Sequence, residues 1–417
     1  MIIYNLTIFL YGFVIRLASL KKTKAKQWIT GRQNWREIYS KKISQLTPIA
    51  AGVQKKLWVH CASYGEFEQG RPLIEAIKKK YPEYNIVLTF FSPSGYEAFK
   101  DWKGAEIIMY LPLDTRSNSR DFIDIIKPEI VIFIKYEFWL NYLFQLKKQK
   151  IDTYLISAVF KTHHPFFKWY GGIFRRSLKT FKILFLQDKN SAVLLSKIDI
   201  KNYEVCGDTR FDRVLEIRDN FNEIQKIKAF KGSGKLIIAG STWPKDEELI
   251  LNTFEHLKDK NVKLIIVPHE VNEKSISETV SKIELLKLTY SLYTGPLNTT
   301  SQILILNVMG LLAKAYFYAD VTYIGGGFNG GLHNCLEAAV YGVPVTFYGE
   351  EYDKYNEAVD LVKSGAAINV KNADELLNAF TGFLNDEKIR SEISEGLNNY
   401  FKSNSNVSDK ILSAIKL

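Results

Sequence analysis

Two acids stand where a carboxylate could do chemistry. The stretch WVHCASYGEFEQGRPL (58–73) begins as an apolar run and then sets Ser63, Gly65 and Glu66 directly behind it. A second stretch, FIKYEFWLNYL, carries Lys135 and Glu137 after another apolar run. An acid in the first turn of a helix is favoured by the helix dipole whatever else it does, so one alone says little. Two of them at the ends of neighbouring strands, opening on one cleft, suit general-base work on a substrate hydroxyl. Between them TFFSPSGYEA places Ser92, Ser94 and Gly95 at a third strand end, and with Ser63, Gly65 and Lys135 these are the candidate acceptor or sugar contacts.

The second half of the chain offers different chemistry. In AGSTWPKDEE (239–248) an apolar run ends in Gly240, Ser241 and Thr242 before Pro244 opens an acidic helical turn. Such a turn either simply caps the helix or presents its N–H groups to an anion. IGGGFNGGLHNCLEAAVYGVP (324–344) contains G-x-G-x-x-G at Gly325, Gly327 and Gly330, formally a dinucleotide fingerprint. It lies late in the chain and runs into His333-Asn334. Glycines that let backbone approach a phosphate, with Asn334 capping a helix and Glu337 one turn in accepting ribose hydroxyls, account for it better. Glu337 as a capping-box partner is the plainer alternative. LNVMGLLAKAYFYAD adds Met309 and Gly310 at a strand-to-helix turn. No Ser-His-Asp or Cys-His set follows from spacing, and His163-His164 is adjacent, a poor metal face, so neither a metal nor a cofactor is expected.

The elements that must position these residues follow from patterning. Short β-branched runs at 57–62, 85–91, 106–111, 129–134, 153–158 and 182–187 alternate with stretches of helical spacing, the mark of a parallel sheet covered by helices. The alternation pauses in a charged segment at 207–234 and restarts with runs at 235–240, 262–268, 301–306, 320–325 and 343–348. Length points the same way: at 417 residues the chain exceeds the roughly 100 to 200 residues of one domain. Two doubly wound α/β domains are expected, with ligands outside the carboxyl ends of the strands and a central cleft between the two sets of ends.

Apolar content of 46% and charged content of 24% are those of a globular protein. Three distant cysteines, Cys61, Cys206 and Cys335, exclude a disulfide framework and zinc spacing, as for a cytosolic body. Net charge is +11, and Arg16, Lys21, Lys22, Lys24, Lys26, Arg32 and Arg36 all precede the first acid, Glu37. They follow the apolar opening MIIYNLTIFLYGFVIRLASL, the reverse of a secretory signal. A weak spanning helix or an interfacial one is expected, with the lysines beside anionic lipid at roughly 1 kcal/mol each. No basic and aromatic interleaving continues beyond, so nucleic acid is not an expected partner.

Taken in order, the motifs resemble those of the 3-deoxy-D-manno-octulosonic acid (Kdo) transferases. They are H-x-x-S-x-G-E (60–66), S-P-S-G (92–95), E-x-W (137–139), G-D-T-R-F-D (207–212), G-S-T (240–242), V-P-H-E (267–270), M-G (309–310) and G-G-L-H-N-x-x-E (330–337). The resemblance implies a GT-B fold: a membrane-associated segment at 1–40, an acceptor domain at 41–215 and a CMP-sugar domain at 216–417, whose last helix packs back on the first domain. It implies an inverting, metal-independent transfer of Kdo from CMP-Kdo to the lipid A precursor (lipid IVA) at the cytoplasmic face of the inner membrane, with no cofactor. Glu66 falls on the family's catalytic base, with Glu137 as support. Ser241, Thr242, His269, Met309, Gly310, Asn334 and Glu337 fall on its donor segments. Two positions depart from the family pattern: Lys135 replaces the first acid of E-T-E-L-W, and Pro268-His269-Glu270 stands for P-R-H. The rival readings are another GT-B enzyme using a UDP-sugar, including a 2-epimerase, and a non-catalytic module that binds glycolipid.

Overall fold

The computed structural model describes residues 1–46, 55–258, 261–415 and 417. The expected domain stretches therefore include residues 47–54, 259–260 and 416, which lie outside the described residues. The chain divides into two compact units, Met1–Arg213 with Asn406–Leu417, and Val214–Ser405.

The first unit is a parallel sheet of seven strands: β1 (Lys55–Cys61), β2 (Tyr84–Phe90), β3 (Ile107–Tyr110), β4 (Ile130–Ile134), β5 (Asp152–Ala158), β6 (Ile183–Leu186) and β7 (Tyr203–Val205). Their order is β3-β2-β1-β4-β5-β6-β7, so the direction of winding reverses between β1 and β4. Alternation along the strands builds two cores. Leu57, Val59 and Cys61 of β1 join Ile132 and Ile134 on one face. Trp58 joins Val131 and Phe133 on the other. Both faces are buried, which is why these strands read as continuous apolar runs.

Three helices precede the sheet: α1 (Ile2–Ala18), α2 (Thr23–Thr30) and α3 (Trp35–Ser44). Tyr4, Ile8 and Gly12 recur at helical spacing on the docked side of α1. Tyr4 donates its hydroxyl to Asp114, Ile8 is buried, and a Cβ on Gly12 would come within 2.8 Å of Leu113. Asp114 also accepts the backbone N–H groups of Asn141 and Tyr142, each at 3.1 Å. Burial outweighs these bonds and pushes its pKa up to about 6. The other side of α1 exposes Ile2, Ile3, Leu6, Phe9, Leu10, Phe13 and Val14. At about 1.5 Å per residue a helix of this length falls short of a bilayer's hydrocarbon thickness. No described helix is long and apolar enough to cross a membrane.

The motif G-D-T-R-F-D explains how the segment 406–417 joins this unit. Asp212 accepts the N–H groups of Val407 (3.2 Å) and Ser408 (2.6 Å), capping the helix Val407–Ala414. Val407, Ile411, Leu412 and Ile415 then enter the core that contains Leu73 and Ile77.

The second unit repeats the plan with β8 (Lys235–Thr242), β9 (Val262–Pro268), β10 (Tyr290–Leu292), β11 (Ile303–Ile305), β12 (Val321–Ile324), β13 (Val345–Phe347) and β14 (Ala367–Asn369). Its order, β10-β11-β9-β8-β12-β13-β14, puts the reversal between β8 and β12. All eleven expected runs are strands. The three that patterning missed, β7, β10 and β14, have only three residues each.

Candidate functional site

In the first unit, β1 ends at Cys61 and Ser63 opens helix α4 (Tyr64–Lys80). Glu66 therefore lies in the first turn of α4, outside the carboxyl end of β1 and beside the winding reversal. One turn on, Gly70 lets α4 settle onto the sheet: its Cβ would already lie 3.0 Å from Ile134. The Ser63 hydroxyl donates to the Glu66 carboxylate. Gly65 is exposed and a Cβ there would meet nothing within 4 Å, so packing does not require this glycine and the ground beside Glu66 stays open.

Glu137 is placed differently. It is buried, and its Oε2 lies 2.5 Å from Trp139 Nε1 and 3.2 Å from His60 Nε2. His60 Nε2 also lies 3.2 Å from Trp139 Nε1, so the three side chains meet at one point. On the other side of the ring Nδ1 lies 2.9 Å from the Thr89 hydroxyl, which accepts from Trp58 Nε1 at 2.8 Å. This network ties β1, β2 and the segment after β4 together, and sequence reasoning missed its centre. His60 is an apolar-strand residue by position, and only its complete burial shows that it needs partners.

The remaining acceptor-side candidates fall nearby. Ser92 caps helix α5 (Pro93–Phe99) by accepting the Ser94 N–H at 3.2 Å, and the two hydroxyls lie 2.9 Å apart. Gly95 is required by packing, since a Cβ would meet Phe90 at 2.3 Å and the Ser63 backbone at 3.0 Å. Lys135 adopts a left-handed φ of 67° and donates its N–H to Ile156 O. Tyr136 feels Asp188, Arg210, Glu66 and Asp208 around its hydroxyl, and burial first, then Asp188, pushes its pKa up to about 12. Tyr136 is thus a neighbour of Glu66 that no motif singled out, and Arg210 of G-D-T-R-F-D lies on the same hydroxyl.

In the second unit the expected donor segments all lie at or just after the ends of β8, β9, β11 and β12. Gly240 is a glycine because Tyr316 Oη fills the place of a Cβ, 1.9 Å away. Ser241 takes a left-handed φ of 54°, and Thr242 is buried. The helix Pro244–Glu255 is capped from within: Asp246 accepts the Trp243 N–H at 2.9 Å. The same carboxyl accepts the Gly326 N–H at 2.9 Å and the Tyr323 hydroxyl at 2.8 Å, and burial raises its pKa. Capping and anion contact were the two readings of this turn's N–H groups. One of them is already given to Asp246.

Gly325 approaches Ser241 so closely that a Cβ would lie 2.4 Å from its carbonyl oxygen. The glycines therefore serve the contact between the ends of β8 and β12, and the following turn, Gly327–Asn329, is a 3-10 turn where a dinucleotide fold has a long helix. Asn334 donates to Glu337 at 3.3 Å and accepts the Leu336 N–H at 3.1 Å, but the helix it opens is only Leu336–Ala339. A four-residue helix carries little dipole, so Asn334 and Glu337 matter as side chains. Met309 is exposed beside Gly310, whose φ of 83° demands glycine. His269 stacks at 4.7 Å on Trp243 and at 4.6 Å on His333. Burial, and then His269, push the His333 pKa down to about 4. Trp243 and His333 complete an aromatic cluster that spacing alone did not reveal. Among the described residues no group of three or more His, Cys, Asp or Glu could hold a metal.

Residues 33–213 match the family described as 3-deoxy-D-manno-octulosonic-acid transferase (kdotransferase). A 3-deoxy-D-manno-octulosonic acid transferase from Aquifex aeolicus is 29% identical over 80% of this chain and 87% of its own. The chain is thus similar to Kdo transferases over most of its length. A bifunctional glycosyltransferase/methyltransferase from Fusobacterium nucleatum is 27% identical over 84% of this chain, which spans 55% of that longer protein. Among solved structures, UDP-GlcNAc 2-epimerase from Neisseria meningitidis bound to UDP-GlcNAc superposes with a TM-score of 0.63, covering 86% of this chain and 99% of that one. At 15% identity that likeness speaks for the fold, which is GT-B.

Proposed function

We propose that this chain is a Kdo transferase, an inverting glycosyltransferase that moves Kdo from CMP-Kdo to the lipid A precursor, with Glu66 as general base. The setting of Glu66 carries the reading. It is a half-buried carboxylate oriented by Ser63, at a strand end beside the winding reversal, with open ground at Gly65. Glu66 takes the proton of the attacking acceptor hydroxyl, a contribution of roughly 10² to 10⁴ in rate. Glu137, held by two N–H donors, supports it by fixing the ends of β1 and β4. Ser92, Ser94 and Lys135 offer the acceptor hydroxyl and ammonium donors.

On the donor side, the Ser241 hydroxyl, which has no side-chain partner among the described residues, meets the CMP phosphate, while Glu337 and Asn334 take ribose hydroxyls. The leaving phosphate is stabilised by these donors and by the helix Pro244–Glu255, with no metal. Met309 and His269 border the same strand ends. The exposed apolar side of α1 and the lysines after it hold the protein at the cytoplasmic face of the inner membrane, where the acceptor's acyl chains lie.

The test is direct: the protein is incubated with CMP-Kdo and the lipid A precursor, with and without a chelator, and the lipid is weighed. A gain of Kdo mass unaffected by the chelator is expected. An unchanged lipid overturns the reading, and a chelator-sensitive gain overturns its metal-free part.

A further inference from the structure

A cavity of about 920 Å³ lies in the first unit between α1, α2, the start of α3 and the segment after β3. It is within the roughly 300–1,000 Å³ of small-molecule sites. One wall is apolar, made by Phe9 and Phe13 of α1 with Pro112 and Leu113. Gly12 sets how closely α1 approaches that wall, through its contact with Leu113. Phe9 and Phe13 are 67% and 52% exposed, so none of the unit's described residues covers this wall.

The polar side is cationic. Arg16, Arg32 and Arg36 line it against a single acid, Glu37. Arg36 is paired with Asp121 at 2.8 Å. Arg32 is spent on neutral partners: it donates to the carbonyls of Leu111 (2.8 Å), Trp28 (3.0 Å) and Phe91 (2.6 Å). Its guanidinium lies 3.9 Å over the Trp28 ring and 4.7 Å over that of Tyr110. Among the described residues no carboxylate pairs with Arg32 or Arg16. A half-buried cation held by carbonyls and rings keeps its charge uncompensated, an arrangement that is costly unless an anion arrives from outside.

We propose that this cavity binds one anionic membrane phospholipid, its phosphate on Arg16 and Arg32 and an acyl chain along Phe9, Phe13 and Leu113. A free phosphate would leave the apolar wall bare, whereas an acyl chain covers it and continues along the exposed side of α1. The site is separate from the proposed transfer chemistry and needs neither CMP-Kdo nor turnover to be seen.

The experiment is native mass spectrometry of the full chain in detergent with phosphatidylglycerol or phosphatidylcholine added. One phosphatidylglycerol per chain is expected to stay bound, with phosphatidylcholine retained far less. Arg16→Glu, at an exposed side chain with no partner to lose, should weaken retention roughly tenfold, equivalent to about 1.4 kcal/mol. Phe9→Asp should do the same from the apolar side. Lys274→Glu, an exposed site in the second unit, should leave the adduct intact. Equal retention of the two lipids, an adduct untouched by Arg16→Glu, or an equal loss in Lys274→Glu would each overturn the site.

Discussion

The chain leaves β1 and β4 of the first unit through acids, Glu66 and Glu137, one open and one locked. It leaves β8 and β12 of the second through glycines and a buried acid, Asp246, that fastens backbone to backbone. Both units reverse their winding beside their first strand and both place these residues there, yet their strand ends are built differently. A carboxylate able to accept a proton needs open ground, and Gly65 leaves it. Where strand ends press against backbone and ring, a Cβ has no room, and Gly325 against Ser241 and Gly240 against Tyr316 do without one. The same residue type, glycine, thus keeps space in one unit and removes distance in the other.

The largest test of this contrast is Glu66→Gln. Transfer should fall by roughly 10² to 10⁴ while CMP binding, followed by calorimetry, stays unchanged. Near-normal turnover would remove the open acid from the chemistry and leave the two units without distinct tasks. A smaller effect is expected at the locked acid. Glu137→Leu removes the buried acceptor that His60 Nε2 and Trp139 Nε1 share and leaves them only each other, which should destabilise the protein by roughly 1–3 kcal/mol in urea unfolding. A loss of activity with full stability would make Glu137 a second working acid.

The mildest test uses pH, to which the units answer in opposite senses. His333 has a folded pKa near 4, below its ordinary value, so the folded state binds fewer protons than the unfolded one. Its contribution is present above about pH 6.5 and is lost as pH falls towards 4. Asp114 is raised to about 6, so its contribution is present at low pH and is lost as pH climbs from about 4 to 6. In thermal scans His333→Gln should flatten the acid fall by a few degrees and leave the Asp114 limb in place. An unaltered acid limb would show that the histidine stack does not carry it.

The fold was legible because strands buried on both faces announce themselves as apolar runs, and those eleven runs are the body of both sheets. The edge strands β7, β10 and β14 were not: they are only partly buried and carry no apolar run, whereas β11 and β13, equally short, are buried throughout. Glu66 was readable from its place behind a strand. Its surroundings were less so: Tyr136 and Arg210 come from distant segments, and the His60 network depends on which side of a strand a polar residue faces. At Ser241 and Asn334 the residue types were found, but their bonding is set by partners far along the chain, Asp246 reaching Gly326 among them.

Asp212 gives the fold an order in time. The helix it caps is translated only after all of Val214–Ser405, so at about 5–20 residues per second the first unit waits roughly 10–40 s for Val407 and Ile411. During that interval Leu73 and Ile77 of α4 lack part of their cover, while the second unit, continuous in sequence, can already close. The unit that emerges first from the ribosome is the one completed last.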